Sequence, residues 1–376
     1  MRVLMTTDTI GGVWTFTKEL VRQLLGGGYA VALVSFGRTP SLKQRAWCSL
    51  MRRVYGNAFV YRDSPAPLEW MSDNEHAYGA GEQVLLEVAE RFRPDVLHSS
   101  QYCFGRLPLD VPRVITAHSD VLSWADACRP AGLAESLWLD RYCELVQEGL
   151  DGADSVVAPT ASMLEALYNH FDVRCPSRVV YNGRTVPPSR HAPQRVLRAI
   201  SVGRLWDDAK GLATLTHVNS PMPVMLAGED TFGGSPVPVQ AGLQSLGMLD
   251  EPALFAAFRT SSIYIAASRY EPFGLAPLEA ALCGCAILAR DIPSLREVWG
   301  AAAVYFQDAR ELERLLGFFA EDAMALQLAQ LAAMERARRY KSEDMAASYS
   351  AIYQGLVQSS ERRAGSGDEE YMAHAA

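Results

Sequence analysis

Two glutamates separated by seven residues form the stretch of this sequence most suggestive of chemistry. They are Glu271 and Glu279, in "SRYEPFGLAPLEA". The preceding residues, 261–268, form a short apolar run rich in β-branched and aromatic side chains, which predicts a buried strand. A proline near its start and a glycine at its end predict a helix from Pro277 to about Gly284. Glu271 should therefore lie in the strand-to-helix loop, and Glu279 inside the helix.

Four backbone amides between the two glutamates could bind an anion. They belong to Phe273, Gly274, Leu275 and Ala276, at the predicted start of the helix. N–H groups in the first turn of a helix have no acceptor within that helix, and the helix dipole favours negative charge there. The loop therefore predicts a site for a phosphate, or for negative charge that develops during a reaction.

Length and composition limit the class of protein that could hold such a site. A chain of 376 residues, 49% hydrophobic and 21% charged, is typical of a soluble globular protein with two domains. The net charge of -8 argues against a nucleic-acid partner, which requires a basic excess. The seven cysteines, without a C-x-x-C pair, predict reduced thiols and a cytoplasmic location. No apolar stretch reaches the roughly 18 residues of a membrane span, and the N-terminus reads as a strand and turn rather than a signal peptide.

Apolar strand patterns alternate with helical ones, which predicts an α/β protein with parallel sheets covered on both faces. The predicted strands are "RVLMTT", "YAVALVSF", "DVLHSS", "RVITAH" and "SVVAPT" in the first half, and "RAISVGRL", "PVMLAG", "SIYIAAS" and "CAILAR" in the second. The polar, proline-rich stretch 183–195 predicts a linker. We expect one domain over 1–185, completed by a C-terminal helix at about 339–357, a second over 196–338, and a disordered tail over 358–376.

In sheets of this kind, ligands bind at the carboxyl ends of the strands. Gly11 and Gly12 follow the first predicted strand, where they could let the backbone approach a ligand closely. A tight turn that needs positive φ is the alternative explanation. Because the sequence here is not G-x-G-x-x-G, the fingerprint of a nicotinamide site is absent.

Further candidate residues also follow predicted strands. His118 ends one of them and could donate a hydrogen bond or carry a proton, although a structural histidine would fit as well. Arg204 and Lys210 follow another, in "VGRLWDDAKG". A guanidinium and an ammonium group suit a diphosphate. The alternative is a pair of solvated surface cations.

Taken in order, the G-G loop, the mid-chain histidine, "VGRL" with "KG", and "EPFGLAPLE" resemble the retaining glycosyltransferases of family 4. The resemblance covers nearly the whole chain, about 2–357, and its most specific element is the E-x7-E motif. It implies the GT-B fold, in which two Rossmann-like domains with parallel sheets face a central cleft. It also implies transfer of a hexosyl group, with retention of configuration, from a UDP- or GDP-linked sugar to a lipid-linked acceptor or a growing glycan.

The resemblance assigns roles to the residues around the E-x7-E motif. Glu271 would hydrogen-bond hydroxyls of the transferred sugar, and Glu279 would accept from the ribose hydroxyls. The amides from Phe273 to Ala276 would face the sugar and the diphosphate. Loss of one donor to a developing negative charge typically costs about 10²- to 10³-fold in rate.

It also assigns roles outside that motif. Arg204 and Lys210 would bind the diphosphate and stabilise the departing nucleotide. His118 would lie beside the sugar, and Gly11 and Gly12 near the diphosphate or the acceptor. Where the family often has His-Asp, Ser119 intervenes here, so the resemblance supports no role for the aspartate that follows. No metal or other cofactor is implied.

Other functions compatible with these residues are a nucleotide-sugar epimerase of the same fold and a catalytically silent sugar-nucleotide binding protein. A glycosidase pair does not fit, because a retaining glycosidase needs two carboxyl groups about 5 Å apart across one bond. The loop and helix positions of Glu271 and Glu279 instead direct them to different parts of a long ligand.

The stretch from Arg38 to Arg62 contains six basic residues and no acidic one. Leu42, Ala46, Leu50 and Val54 recur within it at helical spacing. A basic amphipathic helix can lie on an anionic membrane, which would give peripheral contact with the inner membrane face. An ordinary helix packed on its own domain is the simpler interpretation.

Overall fold

The computed structural model describes residues 1–188, 194–229, 231–232, 235–236 and 242–374. The chain forms two compact units. Unit 1 consists of Met1–Val121, Leu133–Gly183 and the chain from Ser342 onward, and unit 2 consists of Leu122–Gly132 and Arg184–Lys341.

Strands and helices alternate along both units, as the sequence predicts. Up to residue 188 the elements are β1 (Arg2–Asp8), α1 (Gly12–Gly26), β2 (Ala30–Phe36), α2 (Leu42–Tyr55), β3 (Phe59–Asp63), α3 (Ala77–Phe92), β4 (Val96–Ser99), β5 (Arg113–Thr116), α4 (Val121–Cys128), α5 (Leu137–Asp151), β6 (Ser155–Ala158), α6 (Ala161–His170) and β7 (Ser177–Val179). Beyond residue 193 they are β8 (Val196–Val202), α7 (Leu212–Leu215), β9 (Val224–Ala227), β10 (Thr231–Phe232), β11 (Ser235–Pro236), β12 (Leu243–Ser245), α8 (Glu251–Thr260), β13 (Ser261–Ala266), α9 (Leu275–Leu282), β14 (Ala286–Arg290), α10 (Pro293–Trp299), β15 (Val304–Phe306), α11 (Ala309–Glu321), α12 (Ala323–Ala337) and α13 (Ser342–His374).

Each unit is built on one parallel sheet. The strand order is β3-β2-β1-β4-β5-β6-β7 in unit 1 and β12-β9-β8-β13-β14-β15 in unit 2. Every strand named from the sequence is present. The sequence patterns do not reveal β3, β7, β12 and β15, which are the outermost strands of the two sheets. Edge strands are short and partly solvated, so they lack the continuous apolar run of a central strand.

The central strands of unit 2 are buried on both faces. Along β13, Tyr264 packs in the cluster that contains α9, while Ile263 and Ile265 pack in the cluster that contains α11. Side chains alternate between the two faces of a strand, so a continuous apolar run serves both clusters. This packing fixes the end of β13, from which the loop of the E-x7-E motif leaves the sheet.

The C-terminal helix α13 belongs to unit 1, as predicted for residues near 339–357. Met345, Tyr349 and Tyr353 are buried, and α13 packs against α1. The helix continues to His374, whereas the sequence predicted disorder from residue 358. Once a helix is nucleated by packing, each added residue gains a hydrogen bond at little further cost, and no proline interrupts this stretch.

The largest differences from the predicted domain ranges are the start of the long segment of unit 2 at Arg184 rather than residue 196, and a short segment of the first half. Residues 122–132, which lie inside the predicted first domain, belong to unit 2. Two contacts hold this segment there. The indole N–H of Trp124 donates to Asp207 at 3.4 Å, and Arg129 forms an ion pair with Asp208. Among the described residues, no helix has both the length and the apolar character needed to cross a membrane.

Candidate active site

The E-x7-E motif occupies the junction between β13 and α9. Glu271 lies in the loop and Glu279 in the helix, as predicted. The helix begins at Leu275, two residues before Pro277, and Gly274 precedes it with φ of +90°. A Cβ atom at Gly274 would lie 2.8 Å from the Cγ atom of Pro277, so the tight entry to the helix requires glycine. The first turn of α9 therefore directs its N–H groups away from the helix body.

Lys210 and Glu271 form an ion pair. The Lys210 Nζ atom lies 2.8 Å from Oε2 of Glu271, and the Ser268 hydroxyl donates to the same oxygen at 3.1 Å. Lys210 is the last residue of a short 3₁₀ turn that follows β8. A Cβ atom on Gly203 would lie only 2.9 Å from the Cγ atom of Lys210. The missing side chain at Gly203 lets the lysine stem pass over the strand end.

Arg204 lies on the same loop and pairs with Asp207. Its Nη2 atom is 2.5 Å from Oδ2 of Asp207, and its side chain is 37% exposed, so it remains accessible to a ligand. Burial alone would raise the pKa of Asp207, but Arg204, hydrogen bonds and Lys210 outweigh burial and hold that pKa below its ordinary value. The Arg269 amide donates to the carbonyl oxygen of Ala209, which joins this loop to the E-x7-E loop.

Glu279 has a buried cationic partner that the sequence patterns do not reveal. The Arg184 Nε atom lies 2.6 Å from Oε1 of Glu279, and its Nη2 atom lies 2.7 Å from Oε1 of Glu251. Arg184 and Glu279 are only 3% and 8% exposed. Arg184 lies in the stretch predicted as a linker, where nothing in the local pattern predicts burial.

Gly11 and Gly12 begin α1 in unit 1. Gly11 caps the helix with φ of +67°, so the predicted need for positive φ applies to this residue, whereas Gly12 is the first helical residue. Both glycines are exposed, and no atom lies within 4 Å of the position a Cβ of Gly11 would occupy. The loop therefore leaves room for a ligand above the start of the helix.

His118 follows β5 and is half-buried. Its ring contacts Phe16 of α1 edge-on, with centroids 4.5 Å apart, and its Nε2 atom lies 3.4 Å from the Ser100 hydroxyl. Burial lowers the pKa of His118 to about 3, so the imidazole is neutral near pH 7. A neutral ring can donate or accept a hydrogen bond without adding charge.

A second histidine lies beneath this position and is fully buried. The ring nitrogens of His98 lie 2.6 Å from the Tyr353 hydroxyl and 2.7 Å from the Thr116 hydroxyl, and Thr116 lies 3.0 Å from the Tyr349 hydroxyl. Burial, with a smaller contribution from His118, lowers the pKa of His98 to about 3. This network connects the ends of β4 and β5 to α13.

We expect acid to destabilise the protein through His98, in addition to His118, whose pKa is lowered to a similar value. In the unfolded chain His98 titrates near pH 6.5. Between about pH 6 and 4 the unfolded state therefore binds a proton that the folded state does not, and the free energy of unfolding falls by about 1.4 kcal/mol for each pH unit of acidification. Denaturant unfolding of the wild type at pH 7.5 and at pH 5 should show this loss in the free energy of unfolding. The loss between the same two pH values should be smaller in His98→Gln. The exposed His217→Gln serves as control; an unchanged slope in His98→Gln would contradict the assignment.

The two aspartates of "WDD" have arginine partners. Asp207 pairs with Arg204, and Asp208 pairs with Arg129. Within the described parts of the chain, no three His, Cys, Asp or Glu side chains are grouped so that they could hold a metal ion. Arg204 and Lys210 lie on the loop after β8, which is joined to the E-x7-E loop that precedes α9.

The geometry thus brings Arg204, Lys210, Glu271 and the start of α9 together in unit 2. Cations beside a helix N-terminus can hold a diphosphate, and a carboxylate in the adjoining loop can bind sugar hydroxyls. In unit 1, the ring of His118 contacts Phe16 of α1, the helix that Gly11 caps. Apart from Glu279, which lies within α9, each predicted site residue follows a strand or begins a helix of its own unit.

Two family models match most of the chain. The model described as Glycosyltransferase Family 4 matches residues 10–187, and that described as Glycosyl transferases group 1 matches residues 238–332. The glycogen synthase of Mycobacterium tuberculosis is 26% identical over 337 residues, which cover 79% of this chain and 80% of that protein.

Solved structures share the fold. Sucrose-phosphate synthase from Thermosynechococcus elongatus has a TM-score of 0.77 at 15% identity, covering 96% of this chain and 100% of that one. Anabaena HepE in complex with UDP and glucose has a TM-score of 0.69 at 15% identity, and the match covers 95% of this chain and 100% of that one. The two parallel sheets, the site and these matches define an α/β glycosyltransferase of GT-B fold. The two family models, the glycogen synthase relative and the fold together support a glycosyltransferase of family 4.

Proposed function

We propose that the protein transfers a hexosyl group, with retention of configuration, from a UDP- or GDP-linked sugar. The observation that carries this proposal is the Lys210–Glu271 pair beside Arg204 at the start of α9. It places cations for a diphosphate next to a carboxylate for sugar hydroxyls. The UDP and glucose bound to HepE support a donor of this chemical class.

In this proposal the cations act mainly on the departing nucleotide. Arg204 and Lys210 stabilise negative charge on the diphosphate as the bond to the sugar breaks, and the amides from Phe273 to Ala276 add to that stabilisation. Glu271 holds the sugar, and Glu279 accepts hydrogen bonds from the ribose diol. Because these groups supply the positive charge, we propose no resident metal or other cofactor.

The unit 1 residues serve the sugar and the acceptor in the same proposal. His118, neutral near pH 7, would hydrogen-bond the transferred sugar, and the open backbone at Gly11 and Gly12 would admit the diphosphate or the acceptor. The mycobacterial relative is a glycogen synthase, which favours a growing glycan as acceptor. An epimerase or silent binding protein is not favoured, because the matched families and relatives are transferases. All seven cysteines are free, which supports a cytoplasmic location.

The acceptor side of the proposal includes contact with an anionic membrane through α2. Leu42, Leu50 and Val54 are 82%, 50% and 59% exposed, so the apolar side chains predicted to share a face point to solvent. The helix instead buries Cys48 and Met51. Lys43, Arg45, Arg52 and Arg53 lie in this helix, and Arg38 and Arg62 lie near it in the sequence, in a protein whose net charge is -8. This combination suits a surface of anionic lipid, where a lipid-linked acceptor would be found.

We expect binding to phosphatidylglycerol-containing vesicles but not to neutral ones, with affinity that falls as salt rises. A Leu42→Ser/Leu50→Ser variant should bind at least about tenfold more weakly in a sedimentation assay, because two leucines no longer enter the lipid. Met324→Ser/Leu328→Ser on α12, 73% and 62% exposed, is the matched control. Equal loss in both variants, or no binding to either vesicle, would refute this contact.

A thermal-shift panel of nucleoside diphosphates tests the donor site. A ligand at about 100 times its Kd adds roughly 2.7 kcal/mol, or about 5–10 °C in Tm for a unit of this size. UDP or GDP should give this shift with the wild type and not with Glu279→Gln. Glu251→Gln, which changes the more exposed partner of Arg184, is the matched control. If no nucleoside diphosphate stabilises the wild type, the proposed donor site is wrong.

A further inference from the structure

Arg184 is the first residue of the longer segment of unit 2, Arg184–Lys341, and its side chain is almost completely buried. Its guanidinium group joins Glu279 of α9 at 2.6 Å to Glu251 of α8 at 2.7 Å, and it lies 5.5 Å from the centroid of the Phe255 ring. A buried guanidinium is costly unless its donors are satisfied in good geometry. Here two carboxylates from two helices satisfy it, and one of them is the carboxylate that the proposed function assigns to the donor ribose.

The end of this segment, just before the chain returns to unit 1, contacts the other part of the same motif. The Arg184 amide donates to the Tyr340 carbonyl oxygen at 3.1 Å, one residue before the chain leaves unit 2. The Tyr340 ring meets Phe273 edge-on, with centroids 5.4 Å apart. The segments that enter and leave unit 2 therefore touch the E-x7-E motif at Glu279 and Phe273.

We propose that Arg184 is a positioning residue that keeps Glu279 ionised and oriented toward the 2′,3′-diol of a ribonucleotide. This inference rests on the proposed function. An ionised carboxylate has two acceptor oxygens, which suit the two hydroxyl donors of a diol, whereas a protonated carboxyl group is itself a donor. A carboxylate this buried, with Glu251 of α8, Tyr264 of β13 and Cys283 nearby, needs the guanidinium to remain ionised.

Calorimetric titration of the protein with UDP and with 2′-deoxy-UDP tests this role. If the thermal-shift panel selects guanine, GDP and 2′-deoxy-GDP replace them. Arg184→Met should weaken ribonucleotide binding at pH 6 at least about tenfold and reduce the preference over the 2′-deoxy form. Affinity in this variant should then recover as pH rises toward 8.5, because the carboxyl group ionises. The wild type should change little over the same range.

Arg259→Met is the matched control, because Arg259 lies 5.7 Å from the same Phe255 ring and donates to the Pro187 carbonyl. It should keep the wild-type preference and pH profile. Arg184→Lys keeps a positive charge and should restore part of the preference, which separates positioning from a folding defect. If Arg184→Met weakens both nucleotides equally at every pH, or weakens neither, the inference is overturned.

Failure of this inference is distinguishable from failure of the proposed function. If the wild type binds none of the nucleoside diphosphates, the donor site itself is wrong, and the positioning role is refuted with it. If Glu279→Gln loses the ribonucleotide preference while Arg184→Met keeps it at every pH, the donor site stands and only the role of Arg184 is refuted.

Discussion

A Lys210→Met variant is expected to transfer sugar about 10²- to 10³-fold more slowly than the wild type. The ammonium group lies 2.8 Å from Glu271 and on the same loop as Arg204, so its loss removes positive charge where the departing diphosphate would develop negative charge. The larger effect should be on kcat rather than on the KM for the donor, because the interaction strengthens in the transition state. Steady-state kinetics with a saturating acceptor measures both constants.

Two further variants separate this role from simpler ones. Arg129→Met removes a cation that pairs with Asp208 close by, and it should leave kcat nearly unchanged. Glu271→Gln, which keeps Lys210, should bind a nucleoside diphosphate at least as tightly as the wild type, whereas Lys210→Met should bind it more weakly. If Lys210→Met binds the nucleoside diphosphate as tightly as the wild type, Lys210 serves only to neutralise Glu271, and the proposed action on the diphosphate is wrong.

A Gly211→Ala variant should lose stability and activity together. Gly211 has φ of +67°, and a Cβ atom there would lie 2.1 Å from the backbone oxygen of Ala267, which cannot move without shifting the end of β13. Left-handed strain costs about 1–2 kcal/mol, and the overlap adds about 1–3 kcal/mol. The shift would also displace the neighbouring Lys210. Thermal unfolding and the transfer rate, measured on the same preparation, report the two effects.

Gly247→Ala is the control for backbone strain alone. Gly247 has φ of +61°, with no atom within 4 Å of the position of an added Cβ. We expect it to cost only the strain, with transfer activity retained. Equal losses of Tm in the two variants would show that the contact with Ala267 does not constrain the loop.

The fold and the core of the candidate site follow from local signals in the sequence. The sequence predicts the helix around Glu279 because Pro277 suits a first turn and Gly284 suits a helix end, and the structure places α9 at Leu275–Leu282. The sequence predicts the central strands because burial on both faces gives them a continuous apolar run. It does not predict the edge strands β3, β7, β12 and β15, because partial exposure leaves no such apolar run.

Other features depend on contacts that no local pattern encodes. Arg184 and Glu279 are 95 residues apart, and the proline-rich composition around Arg184 indicates a linker rather than a buried ion pair. In α2, periodicity shows that Leu42, Leu50 and Val54 share a face. It does not show which face packs on the domain, and the structure buries the opposite one.

The most direct test of the proposed function is a proton NMR time course of the reaction. The nucleotide sugar selected by the thermal-shift panel is incubated with glycan and lipid-extract acceptors. We predict release of the nucleoside diphosphate and a new glycosidic bond with the anomeric configuration of the donor, and no turnover with Glu271→Gln. An inverted product, or interconversion of the free sugar without a new bond, would contradict retaining transfer at this site.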